Sequence, residues 1–375
     1  MKQKRPKIPE DVKLKLWVLS GGRCEFPGCN KYVWRDGLTL KEDNFAHMAH
    51  LVAASPDGPR GDKKLSPKLV SSFSNLMLVC LDHSKLIDGK HKSNYTLDFL
   101  RYYKAEHENR IKIQTGIGPD MGTTVLRFIA NIKDRKMEIT PTQAYEAIFP
   151  WFPSDEKGVL LDFTNRMESA RKQYWQEFAR EISSSIKHGL IIGNDHKRVS
   201  HLSVFAIGPI PMLMCLGNCI GGSRRVEIYQ KHRNSDDWKW KTEPKRYAFD
   251  YKVAKFNTSK RSKKVVLVLS LSGKVNRCEV EAVLKNTPYY EITIDNPNRD
   301  YLQFRSQLME FAKIYRELLA EIRKRHGNDC EINLFPAIPV SVAVSCGREL
   351  LPKADPKVLV YDYDSTGFKP ILKIN

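Results

Sequence analysis

Apolar residues recur along this chain in two rhythms, one helical and one strand-like, and the changes between them mark its elements. In EDVKLKLWVLSGG (10–22) the apolar positions 12, 14, 16, 17, 18 and 19 run into two glycines, the pattern of a short helix stopped by glycine. YTLDFLRYYKAEHENRIKI (95–113) places Leu97, Leu100, Tyr103, His107 and Ile111 at helical spacing behind Thr96, a residue suited to an N-cap. The polar, glycine-rich QTGIGPDMG follows, and it predicts a boundary between domains spanning 1–117 and 118–375.

Beyond that boundary the pattern repeats. HLSVFAIGPIPMLMCLG (201–217) and EINLFPAIPVSVAVSCG (331–347) align without a gap at an offset of 130 residues, pairing Phe205 with Phe335, Pro209 with Pro339 and Gly217 with Gly347. LLDFTNR (160–166) and ITIDNPNR (292–299) precede them, pairing Asp162 with Asp295 and Arg166 with Arg299, and each is followed by a helical pattern. Short strands, VEIYQ and VLVYDYD, come after each glycine. Two α/β halves packed as a pseudo-dimer, about 118–262 and 263–375, are the expected architecture. KKVVLVLSLSGK (263–274) lies between the repeated units as a buried strand with a Ser/Gly loop at its end, where α/β sheets favour ligands.

Charge narrows the partners. The 375 residues hold 62 Lys and Arg against 43 Asp and Glu, a net +19, which suits a polyanion such as nucleic acid. Residues 1–115 carry 21 basic and 13 acidic side chains, so the excess is densest in the N-terminal third. No run approaches the eighteen apolar residues of a membrane span, and MKQKRPKIPE is not followed by a signal-peptide core, so no membrane partner and a cytoplasmic location are expected.

Eight cysteines are too few and too unevenly spaced for a disulfide scaffold. Cys24 and Cys29 flank a Pro-Gly turn in RCEFPGCN, and Cys80 and His83 form a second short pair; two such pairs complete a tetrahedral shell for structural zinc. Between them, NFAHMAHLVAASPDGPRGD carries His47 and His50.

AHLVAASPDGPRGD followed by NLMLVCLDHSKLID resembles the HNH nucleases of the ββα-metal type. The resemblance implies an α+β domain in which His50 is the general base, Asn75 orients it, and Ser84 and Asp88 occupy the helix positions that bind a catalytic Mg²⁺ or Mn²⁺. Ser84 stands where many relatives carry His, and Ala49 where many carry a metal ligand; His47 would compensate if its strand bends. Arg60, Lys63, Lys64 and Lys68, with Lys2, Lys4, Arg5 and Lys7 of the N-terminal arm, would contact the backbone of double-stranded DNA.

The duplicated half resembles a SAVED domain, a sensor built from two CARF-like, Rossmann-like units, and the order HNH then SAVED resembles the DNase effectors of CBASS anti-phage systems. That implies a cyclic dinucleotide from a partner nucleotidyltransferase as activating ligand, and a homo-oligomer, a dimer assembling to a tetramer or higher, that degrades DNA without sequence preference. For the ligand, strand-end Ser270, Ser272, Gly273 and Lys274 are candidates, with Trp238 or Trp240 to stack on a base and GNCIGGSRR, with Gly221, Gly222 and Arg224, as an anion nest. Two other readings remain open: a restriction-type HNH endonuclease whose C-terminal half reads modified DNA, and a non-catalytic DNA-binding regulator.

Overall fold

A computed structural model describes residues 7–132, 137–165, 172–191, 200–245, 247 and 249–375, which form two compact units, Met1–Pro119 and Asp120–Asn375. Arg166 and the arm residues Lys2, Lys4 and Arg5 lie outside the described residues.

The N-terminal unit contains α1 (Glu10–Ser20), β1 (Ala46–His50), α2 (Leu65–Leu69), β2 (Leu76–Cys80), α3 (Leu81–Asp88) and α4 (Leu97–Thr115). Gly21 ends α1 in the left-handed region at φ 61°, and Thr96 caps α4 by accepting from the Phe99 amide at 3.2 Å. β1 and β2 pair antiparallel from Ala46↔Cys80 to His50↔Leu76 with no bulge. Every residue of β2 is buried, and α3 starts at the next residue. The core gathers Leu16, Val33, Leu51, Leu76, Leu78, Ile87 and Leu100, so two strands and three helices share one apolar centre.

The C-terminal unit runs β3 (Gly122–Ile129), α5 (Pro141–Ala147), β4 (Phe152–Pro153), β5 (Val159–Asp162), α6 (Lys172–Ile191), β6 (His201–Ile207), α7 (Ile210–Ile220) and β7 (Arg225–Ile228). It continues through β8 (Lys252–Phe256), β9 (Lys264–Ser270), α8 (Arg277–Val283), β10 (Tyr289–Thr293), α9 (Arg305–His326), β11 (Glu331–Ala337), α10 (Val340–Glu349), β12 (Lys357–Asp364) and β13 (Gly367–Ile374). In one sheet β3 pairs in parallel with β5 and β6, and β6 with β7; in the other β9 pairs in parallel with β10 and β11, and β11 with β12. The run KKVVLVLS is therefore a central strand of the second sheet, and its counterpart in the first is β3. β8, which the division at residue 262 placed in the first half, pairs antiparallel with β10 in the second sheet.

The repeat is exact in its packing. Phe205 stacks on Tyr229 with ring centres 4.5 Å apart, and Phe335 on Tyr361 at 4.3 Å. Pro209 and Pro339 both take the N-cap of the helix that follows. Those helices, α7 and α10, cross at Gly217 and Gly347, where a Cβ on either glycine would lie 1.9 or 1.8 Å from a backbone carbonyl of the other helix. Only hydrogen fits at that crossing. No helix among the described residues is long and apolar enough to cross a membrane.

Candidate functional site

In the N-terminal unit the chain places His50 at the last position of β1, with the start of β2 opposite. Its Nε2 lies 2.9 Å from the Val70 carbonyl; a carbonyl only accepts, so Nε2–H donates and the neutral ring keeps its lone pair on Nδ1. Asn75 is buried and acts on both sides of that arrangement. Its side-chain oxygen accepts from the Val52 amide at 2.8 Å, and its amide donates to the Val52 carbonyl at 2.9 Å and the Leu69 carbonyl at 3.2 Å. One side chain thus pins the segment just after His50 and the residue just before Val70.

Ser84 and Asp88 lie one turn apart on α3, so they share a helix face and offer hard oxygen donors to Mg²⁺ or Mn²⁺. His47 does not join them. With β1 unbroken, side chains three positions apart project to opposite faces, and the bend that would bring His47 beside His50 is absent. The Arg60 side chain, 10% exposed, pairs with Asp88 at 2.7 Å and donates to three backbone carbonyls. Lys63, Lys64 and Lys68 are exposed, as a backbone contact requires.

The four ligand atoms of Cys24, Cys29, Cys80 and His83 lie within 4.8 Å of one another. His83 Nδ1 is 3.1 Å from the Cys80 sulfur and 3.6 Å from that of Cys24; tetrahedral bonds of about 2.0 and 2.3 Å to one ion would set nitrogen and sulfur about 3.5 Å apart. Burial lowers the His83 pKa and so favours the neutral, ligating form, and Phe26 stacks on the ring at 4.1 Å. The donor set fits zinc. It joins the loop after α1 to the junction of β2 and α3, the helix that carries Asp88.

In the C-terminal unit the segment 230–235, with Lys241 and the segment 299–303, encloses a cleft of about 300 Å³ beyond the ends of β7 and β10. Lys231, Arg233, Lys241 and Arg299 line it; Lys231 is paired with Asp236 at 2.8 Å and Lys241 with Asp237 at 2.9 Å, and the crevice follows strand carboxyl ends, where α/β sheets bind ligands. Gln230 ties its floor to the other half by accepting from the Ser341 hydroxyl at 2.6 Å. The candidates chosen from the sequence fall elsewhere. Trp238 is fully buried against Phe205, so no face of it is open to a base, and Trp240 packs beside the core. Ser270 is buried, donating to Glu291 and accepting from the Val275 amide. Ser272, Gly273 and Lys274 form the loop after β9, outside the cleft lining, and Arg224 lends its carbonyl to Arg348.

The pattern of the sensor domain described as "SMODS-associated and fused to various effectors", SAVED, matches residues 176–374, more than half of the chain. The chain belongs to the SAVED family. The SAVED match contains the whole cleft, both glycines of the helix crossing, and every strand from β6 to β13. Among solved structures it is similar to the Acinetobacter baumannii Cap4 SAVED/CARF-domain containing receptor with the cyclic trinucleotide 3'3'3'-cAAA, at 10% identity over 79% of this chain and 71% of that one, TM-score 0.47. The Moraxella osloensis Cap4 SAVED/CARF-domain containing receptor is similar at 12% identity over 83% and 69%, TM-score 0.39. No curated protein sequence matches the chain. The basic residues of the SAVED cleft had a signal in the sequence: KHRNSDDWKWK (231–241) sets cations around the tryptophan that anchors their loop.

Proposed function

We propose that this SAVED protein is a metal-dependent endonuclease for double-stranded DNA, switched on by a cyclic oligonucleotide. The observation that carries the nuclease reading is His50, whose Nε2–H is held by the Val70 carbonyl while its Nδ1 lone pair is left to act as a base. On this reading the N-terminal unit is an HNH nuclease, with two antiparallel strands and α3 as its ββα framework. His50 Nδ1 takes a proton from water as the water oxygen bonds to phosphorus and the bond to the 3′ oxygen breaks. Asn75 holds His50 in register, and Asp88 with Ser84 would hold Mg²⁺ or Mn²⁺. That ion supplies Lewis-acid stabilisation of the phosphoryl and leaving oxygens. Cys24, Cys29, Cys80 and His83 would hold structural zinc, which would fix the start of α3.

For the sensor, support comes from membership of a sensor family, from two repeated halves that suit a near-symmetric ligand, and from Arg233 and Arg299 in the cleft, which suit a phosphate-bearing ring. A cyclic dinucleotide from a partner nucleotidyltransferase is the proposed messenger, homo-oligomerisation the activating step, and effector of CBASS anti-phage defence the role. The test incubates the full chain with duplex DNA and Mg²⁺ across a panel of cyclic di- and trinucleotides. One of them should switch on cleavage, and His50→Ala should abolish it while zinc content and thermal unfolding stay unchanged. A fully active His50→Ala protein sinks the mechanism, and cleavage indifferent to every cyclic nucleotide sinks the sensor.

Ser84 and Ala49, which stand where many HNH nucleases carry metal ligands, favour a second reading, a DNA-binding regulator without catalysis. DNA binding with no cleavage in any divalent metal would select it.

A further inference from the structure

Arg60 makes more contacts than any other side chain around the proposed nuclease site. Its Nε donates to the Leu51 carbonyl at 2.7 Å and one terminal nitrogen to the Ile87 carbonyl at 2.9 Å. The other terminal nitrogen reaches Asp88 Oδ1 at 2.7 Å and the His50 carbonyl at 3.4 Å. His50 closes β1 and Leu51 follows it; Ile87 and Asp88 close α3. Carbonyls in the last turn of a helix have no amide partner within it, and a planar fork with five donors can satisfy several acceptors that a single ammonium cannot.

The backbone is shaped to aim this side chain. Arg60 is in the left-handed region at φ 54°, where non-glycine residues are uncommon, and a Cβ on the next residue, Gly61, would lie 2.3 Å from the Pro56 carbonyl. A turn this tight, holding an unfavourable conformation, is of the kind that persists at functional sites.

We propose that Arg60 is a positioning residue, a fork that sets the spacing between the base, His50, and the metal-binding carboxylate, Asp88. This rests on the nuclease reading above. The fork holds Oδ1 of Asp88 and so restrains the carboxylate that would bind the cation. Arg60→Lys keeps the positive charge and loses the fork, so it separates geometry from electrostatics.

Two readouts test it on the full-length protein: DNA cleavage with the activating nucleotide, and Mn²⁺ affinity followed by electron paramagnetic resonance, with Asp88→Asn to identify the Mn²⁺ bound at this site. Arg60→Lys should lower the cleavage rate about a hundredfold, the scale of a misplacement near 1 Å, and weaken Mn²⁺ binding about tenfold with zinc retained. Arg60→Ala should recover part of its cleavage when millimolar guanidinium is added, which a general loss of folding would not allow. Arg60→Lys protein matching the wild type in both readouts overturns the proposal, as does an Arg60→Ala loss that guanidinium leaves untouched. If the wild type binds Mn²⁺ through Asp88 yet never cleaves DNA, the nuclease reading falls and the fork stands or falls on Mn²⁺ affinity alone. If it does neither, both fall.

Discussion

His201, far in sequence from the N-terminal site, illustrates how a buried histidine can be wholly structural. It shares a hydrogen bond of 2.8 Å with the Thr123 hydroxyl, and its ring stacks on Trp151 at 3.7 Å. Burial, then Arg225 and Arg305, lowers its pKa from 6.5 to about 4. The unfolded chain therefore binds the proton more readily, so this group's contribution is complete above pH 6.5 and lost as pH falls toward 4, at most about 3 kcal/mol. His201→Gln should flatten that part of the stability profile, measured by urea unfolding at pH 7, 5.5 and 4; an unchanged pH slope would count against the assignment. His50 differs from it in burial: it is only half-buried, a distinction that composition and spacing cannot express.

At the scale of elements, the crossing of α7 and α10 carries the clearest expectation. Gly217→Ala sets a methyl group 1.9 Å from the Val344 carbonyl, and the helices must part to admit it. A loss of at least about 2 kcal/mol in the C-terminal unit should follow, against a negligible change for Gly222→Ala, where a Cβ would meet nothing within 4 Å. Equal stability of the two variants would mean that the crossing is slack. Much of this level was legible in the sequence: α1 and α4 follow their apolar spacing and caps, and the two copies of strand, proline, helix and glycine lie where the alignment put them. What was not legible depends on partners distant in the chain. β8 joins the second sheet by pairing with β10, and nothing local to KVAKF specifies that edge. β3 escaped notice because GTTVLRFI mixes polar and apolar residues, unlike the continuous run of its counterpart β9. The contacts of Arg60 were not legible because a guanidinium serves phosphate and carbonyl equally well, and only the fold says which carbonyls are near. Trp238 drew a ligand argument because an aromatic side chain attracts one even when its place is the core.

At the scale of the molecule, two units with separate cores imply two responses to metal removal. Chelation, or Cys24→Ser, should abolish the thermal transition of the N-terminal unit and leave that of the SAVED unit in place, because the cluster ties together only elements of the first. Calorimetry with and without a chelator, together with zinc analysis, checks this; a zinc-free chain with both transitions intact would refute it. The helix crossing has a further consequence, for the history of the chain. A clash with a side chain can be relieved by trimming that side chain, but each of these glycines faces the other copy's backbone, and no second substitution makes room there. A duplicated segment free to drift elsewhere must keep glycine in both copies as long as they remain pressed together. The glycine shared by residues 201–217 and 331–347 is thus required by contact in both copies. In a relative known only by sequence, a matched pair of glycines ending two repeated apolar helices would mark the position of the pseudo-twofold axis.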